Sequence, residues 1–422
     1  MILHPMPTQN TSAFDISAPQ TMLSLTADIS SDRVAEVAAT LEQLVSLDPA
    51  TPASRADIVG KCQSVITALK PPEVVIADML SSQTTLSCLV SLNNIGAFEI
   101  LSNSEEPLTA SQLAQLCAAD EELIVRLMRV ATAGGFVSET GPRCYSATAV
   151  TRALGTQIYV SGLRWVHFMS RTTDCLPDYF KEIKHRNPTS NGKTAFNYHF
   201  KTSLGPFEWM AQENGEIQRD FIQFMANRSA GQAWSTYWDA KHRIFDGVEI
   251  NPDAPLLVDI GGGIGQDLHL VKKALGHVSK GQLVVEDQAS TLENIPEGVY
   301  DPDFVYQPHD FFNPQPIKGA RIYHMKAVMH DWSDDLAVEI LRHTAASMKP
   351  GYSIVWIVDR VLPETGANKM SAWQDICMMA TLGGLERTRE QFKQLLSQAD
   401  LTITNVTMLP DGIGLVEAEL EK

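Results

Sequence analysis

The chain has 422 residues, enough for two or three domains at about 100–200 residues each. With 44% hydrophobic and 20% charged residues its composition is globular, which excludes a disordered or fibrous protein. A formal net charge of −17, with a pI near 5.1, sets the surface against nucleic acid and anionic membranes, so neither is expected as a partner.

The six cysteines are scattered without a CxxC pair, which argues against zinc sites and a disulfide framework; no metal is expected. The opening MILHPMPTQNTSAFD has neither a basic nor an apolar leader segment, and no run of 18 or more apolar residues occurs. A cytoplasmic protein is the expectation.

In chain order, residues 1–30 are rich in Thr, Ser, Pro and Gln and read as a mobile tail or an arm lying on a partner subunit. Residues 31–160 read as a winged-helix dimerisation domain. From Ser31 to Leu69 the pattern is helical, with Val34, Val37, Leu41 and Val45 on one face. A second helix is expected over Ile76–Leu101, apolar on most faces and so buried from several sides or at a subunit interface. Thr109 and Asp120 each cap a helix, Gly134 and Gly135 close the second, and FVSETGPRCYSAT supplies a short hairpin. A winged helix can bind DNA, but the would-be recognition helix opens Asp120-Glu121-Glu122, which repels phosphate.

Residues 161–245 form a helical substrate-pocket region dense in aromatic side chains, Trp165, Phe168, Phe196, Trp209, Trp234, Tyr237 and Trp238 among them. Most belong to the core, while His167, Phe168 and Phe196 are candidates for a pocket wall. Residues 246–422 alternate strand and helix: LLVDI, QLVVED, FVYQPHDFF, RIYHMKAVM and SIVWIVDRVL. That pattern predicts an α/β, doubly wound, Rossmann-like parallel sheet closed by an antiparallel pair around Pro410-Asp411-Gly412.

The chemistry concentrates in this last region. The first strand runs into a glycine turn in which no frame fits the dinucleotide pattern G-x-G-x-x-G. Asp259, Gly261, Gly263 and Gly265 instead give D-x-G-x-G-x-G, which resembles the first motif of S-adenosylmethionine methyltransferases. Asp287 ends the second strand, where a carboxylate accepts ribose hydroxyls of any adenosine ligand. Asp310-Phe311 ends the third and fits either an adenine contact or a helix cap with a core ring. His330 stands at the carboxyl end of the fourth strand, where a neutral imidazole takes a proton from a hydroxyl. Asp359 and Glu386 follow as acids able to fix its tautomer.

GGGIG, HDWSDD, VDRVLP and GGLERT, in that order behind a winged helix, resemble the plant- and fungal-type small-molecule O-methyltransferases over roughly residues 60–422. The resemblance implies a homodimer, a C-terminal S-adenosylmethionine domain, His330 as general base, and Asp359 and Glu386 as the acids that hold it. It implies cofactor contacts at Gly261, Asp287, Asp310, Phe311 and Lys326, with Trp332 packed near the adenine. Two departures stand out. Lys326 follows the plant members where fungal ones more often carry Arg, and Gln288-Ala289 replaces the usual Leu-Pro. Neither removes a group the reaction needs.

The expected activity is methyl transfer to a hydroxyl of an aromatic or polyketide-like molecule, in a pocket completed by Met325, Met329, Met378 and Met379. Two alternatives compete. One is a pericyclase on the same fold, which dehydrates an alcohol and steers a Diels–Alder, hetero-Diels–Alder or Alder-ene cyclisation while S-adenosylmethionine stays intact. The other is a non-enzymatic winged-helix regulator, disfavoured by the acidic charge.

Overall fold

A computed structural model describes residues 31–45, 47, 52–189, 193–230, 239–245, 249, 254–276, 278–293, 295, 298–409 and 412–421. The arm expected over residues 1–30, and Trp234, Tyr237 and Trp238, lie outside them. The chain divides into two compact units, residues 1–87 and 88–422.

The first unit holds helices α1 (Ser31–Val45) and α2 (Pro52–Leu69), within the region expected to be helical, and most of α3 (Pro72–Asn94). By length and composition alone α3 could cross a bilayer. Its Val74, Val75, Ile76, Met79 and Leu80 are exposed. The single helix expected over Ile76–Leu101 is two. Gly96 takes φ 74, a left-handed conformation that glycine adopts freely, so α3 ends at Asn94 and a separate helix, α4 (Ala97–Asn103), follows.

The second unit opens with the winged helix. Strand β1 (Leu108–Thr109) leads into α5 (Ala110–Leu116), where Thr109 and Gln112 form a reciprocal capping box. Asp120 caps α6 (Glu121–Ala133), whose Ile124, Val125, Met128 and Ala131 recur at helical spacing and are buried. Strands β2 (Val137–Gly141) and β3 (Cys144–Ala147) complete a sheet in the order β1-β3-β2. Arg143, at the turn of the wing, pairs with Glu122 at 2.7 Å and Glu121 at 3.5 Å, so its charge is answered internally. After α7 (Ala149–Leu154), α8 (Gln157–Asp174) gathers an aromatic core in which Trp165, Phe168, Met169, Phe196 and Met210 are buried.

The C-terminal sheet joins β4 (Leu257–Ile260), β5 (Leu283–Asp287), β6 (Phe304–Pro308), β7 (Ile322–Lys326), β8 (Ile354–Leu362), β9 (Arg387–Thr388), β10 (Leu401–Met408) and β11 (Ile413–Leu420). Its order is β10-β11-β8-β7-β4-β5-β6, with β9 on the end of β8. β4 to β8 pair in parallel, and β11 closes antiparallel on β8. Successive residues point to opposite faces. Val258, Val284 and Tyr323 therefore enter one core with Leu341 and Phe392, while Leu257, Leu283 and Ile322 enter another with Leu268 and Val271. This is a doubly wound sheet as expected. The strand order reverses between β4 and β7, so the crevice at their carboxyl ends is where such a fold places its site.

Candidate active site

Two loops face that crevice, one after β4 and one after β7. In the first, Gly261, Gly263 and Gly265 take φ of 70, 62 and 86. A Cβ on Gly261 would lie 2.9 Å from Val328, so the turn is possible only without a side chain. The amides of Gly261 and Gly262 donate to the Glu286 carbonyl at 2.8 and 3.0 Å, anchoring the turn to β5. The helix Gln266–Leu275 starts there and leaves its first amides toward the crevice. Asp287 accepts from the Gly263 amide at 2.8 Å and the Gln288 amide at 2.8 Å, with the Thr291 side chain as a third donor, and a carboxylate has about four acceptor sites. Burial pushes its carboxyl above the usual range, and the amide donors oppose that.

Asp310 accepts from the Phe312 amide at 3.0 Å and from Asn313, so it acts as a local cap. Phe311 packs edge-on against Trp332 with centroids 5.8 Å apart, and Phe312 does so at 4.8 Å. The buried Trp332 Nε1 has no acceptor among the described residues. An amide-lined glycine turn, an available carboxylate, aromatic faces and an indole N–H fit an adenosine moiety.

Two residues expected to touch the cofactor make close polar contacts with neighbouring elements. Asp259 is 2% exposed, and its Oδ1 lies 2.7 Å from His324 Nδ1, tying β4 to β7. Lys326 Nζ donates to Asp267 Oδ1 at 2.6 Å, tying β7 to the helix after the glycine turn.

The second loop carries His330. β7 ends at Lys326, Ala327 takes φ 54, and Met329–Asp331 form one turn of 3₁₀ helix. His330 is buried, and its Nδ1 lies 2.8 Å from Glu386 Oε1. Gln374 Nε2 donates to the same oxygen at 2.7 Å, and the Glu386 amide donates to Asp375 at 2.9 Å. The expectation that both acids hold the ring needs correction. Asp359 accepts from the His330 backbone amide at 3.2 Å, so it holds the main chain. Asp331 Oδ1 lies 3.4 Å from His330 Nε2. Neither Asp331 nor Gln374 was foreseen, although Asp331 adjoins the histidine in HDW.

Burial opposes charge on His330, but Glu386, Asp359 and Asp331 overcome it and raise the imidazole to about 10. Burial raises Asp331 to about 7 and Asp359 to about 6, with His330 opposing both shifts. The surrounding carboxylates thus favour the protonated ring.

The expected pocket residues separate. Met325 and Met329 are wholly buried in the sheet core, and Phe196 is wholly buried among aromatic rings. Met378 and Met379 are half-buried on the helix Lys369–Leu382; the large side chains that this helix exposes are Met370, Trp373 and Ile376. His167 and Phe168 border a cleft of about 410 Å³ with Arg164, Arg171 and Asp220. That cleft includes none of the residues around His330.

The O-methyltransferase domain signature matches residues 181–402, and the O-methyltransferase dimerisation domain signature matches residues 77–157. The chain is similar to O-methyltransferase penC of Penicillium thymicola, 34% identical over 83% of this chain and 87% of that protein. It is also similar to demethylsterigmatocystin 6-O-methyltransferase of Aspergillus flavus, 31% identical over 74% of this chain and 78% of that one. Among solved structures, a LepI variant in complex with SAH and a substrate analogue superposes with TM-score 0.80 at 25% identity, over 92% of this chain and 99% of that one. A structure described as a pericyclic reaction enzyme superposes with TM-score 0.79 at 23% identity, over 92% and 100%.

Proposed function

The chain belongs to the O-methyltransferase family and takes S-adenosylmethionine as cofactor, and we propose that it methylates a hydroxyl of an aromatic or polyketide-like small molecule with His330 as general base. The observation that carries this reading is the 2.8 Å contact between Glu386 Oε1 and His330 Nδ1. A carboxylate there fixes the tautomer and turns Nε2 to the proton it must remove. Gln374 holds Glu386, and Asp359 holds the His330 main chain.

S-adenosylmethionine, when bound, supplies an electrophilic methyl group. The residues proposed to hold it are Gly261, Gly263, Gly265, Asp287, Asp310, Phe311 and Trp332, with Asp259 and Lys326 bracing the turn. A phenol also has a pKa of about 10, so His330 is matched to such an acceptor and the proton moves with little driving force against it. The neutral ring is the active base, so turnover should rise with pH from neutrality toward that value.

The exposed Trp373 and Ile376 offer an apolar surface for the acceptor, on the helix whose Gln374 braces Glu386. The dimerisation domain, with Met79 and Leu80 exposed within it, supports a homodimer.

Turnover of His330→Ala with a responsive acceptor, read beside calorimetric S-adenosylmethionine affinity, tests the assignment. Turnover should fall by about 10²–10⁴-fold with affinity unchanged. Collapse of affinity with turnover retained at saturation would overturn it.

A second reading follows from the carboxylates that favour a protonated His330. An imidazolium is a proton donor to a departing hydroxyl, as a dehydrating pericyclase requires, and the fold is shared with a pericyclic reaction enzyme. In that case the cofactor would survive turnover intact.

A further inference from the structure

Besides Asp359, a second side chain holds the main chain of the turn that carries His330. Arg387 is wholly buried, at the start of β9, where it pairs with Val361 of β8. Its Nη1 donates to the Met329 carbonyl at 2.7 Å and its Nη2 to the Trp332 carbonyl at 2.8 Å. Its Nε donates to Asp334 at 2.9 Å, and that carboxylate is 61% exposed, so the charge is balanced at the surface. One planar guanidinium thus bridges both ends of the segment 329–332.

Two further contacts come from the same stretch of chain. The Leu385 amide donates to the His330 carbonyl at 3.0 Å. A Cβ on Gly384 would lie 2.1 Å from that oxygen, so the approach requires glycine. The turn needs such bracing because it follows Ala327 at φ 54, a conformation that costs a non-glycine residue about 1 kcal/mol or more. Residues 384–387 therefore fix the main chain of His330 and present Glu386 to its ring.

We propose that Arg387 is a positioning residue: by clasping the Met329 and Trp332 carbonyls it fixes the turn that aims the His330 imidazole, and so governs turnover without contacting acceptor or cofactor. A lysine cannot replace it, because a single ammonium does not reproduce a planar fork that meets two carbonyls and a carboxylate. This inference rests on His330 being the general base. The clasp itself is tested without any methyl transfer.

The experiment labels the full-length protein with ¹⁵N-histidine and assigns the His330 ring signal by its loss in His330→Gln. The groups facing that ring are Glu386, Asp359, Asp331 and Gln374. In folded Arg387→Lys the ring titration midpoint should fall by about one unit as the Glu386 contact loosens. With a responsive acceptor, kcat should fall by about 10²-fold while S-adenosylmethionine affinity and acceptor KM hold. Asp334→Asn, which releases only the exposed arm of the clasp, should shift the midpoint the same way by less, and it serves if Arg387→Lys does not fold. A wild-type titration in whichever folded variant is measured overturns the clasp. Should no acceptor be methylated by the wild type, the general-base reading fails while the titration still decides whether Arg387 aims the ring.

Discussion

Burial alone would strip the proton from His330, because an imidazolium in a low-dielectric site loses its hydration. Three carboxylates reverse that outcome, and each meets a different atom: Glu386 the ring Nδ1, Asp331 the region of Nε2, Asp359 the main-chain amide. Glu386→Gln should keep the side chain's shape but remove its charge, so the rising limb of the pH–rate profile should move to lower pH and maximal turnover should drop. An unmoved limb would mean that the charge of Glu386 does not set the ring. Asp331 makes the reverse case, since burial raises its carboxyl to about 7 against an unfolded value of about 3.9. A raised acid contributes stability that is present at low pH and is lost as pH climbs through the folded value. Asp331→Asn has no such loss. Its melting temperature relative to wild type should therefore increase between about pH 4 and pH 8, which thermal scans across that window would check. The sequence marks His330 and Glu386 through residue type and order along the strands. It does not reveal that Asp359 serves the backbone, or that Gln374 and Arg387 join the site, because those assignments depend on which face of a helix or strand end meets the turn.

At the scale of elements, the signals that proved most readable were local. Thr109 and Asp120 cap the helices expected of them, because a cap is satisfied within three residues of itself. The alternation from β4 to β8 is equally plain, since strands buried on both faces read as continuous apolar runs. The break at Gly96 was not foreseen, because apolar residues continue through it and periodicity does not report a left-handed residue. Met325 and Met329, expected at the pocket, lie in the sheet core instead: an apolar residue beside a catalytic one fills the core as readily as it lines a cavity. The glycine turn after β4 gives a test at this scale. Gly261→Ala places a Cβ against Val328 and a side chain at φ 70, where the backbone conformation alone costs about 1 kcal/mol. S-adenosylmethionine affinity should weaken by about tenfold or more. Retained affinity in a folded variant would remove this turn from the cofactor site.

For the whole molecule, net charge and exposed apolar surface point in different directions. The charge of −17 favours solubility and disfavours polyanions. Met79 and Leu80, 63% and 70% exposed within the dimerisation signature, call for a covering surface. Replacing both with Asp (M79D, L80D) should convert a dimer into monomers by light scattering, and persistence of the dimer would place the interface elsewhere.

Methyl transfer consumes the donor, so the stoichiometry of S-adenosylhomocysteine release against a panel of phenolic and pyridone polyketides decides the reaction. One S-adenosylhomocysteine for each product heavier by one methyl group is the predicted result. A substrate that loses water or isomerises while S-adenosylmethionine remains intact would contradict it.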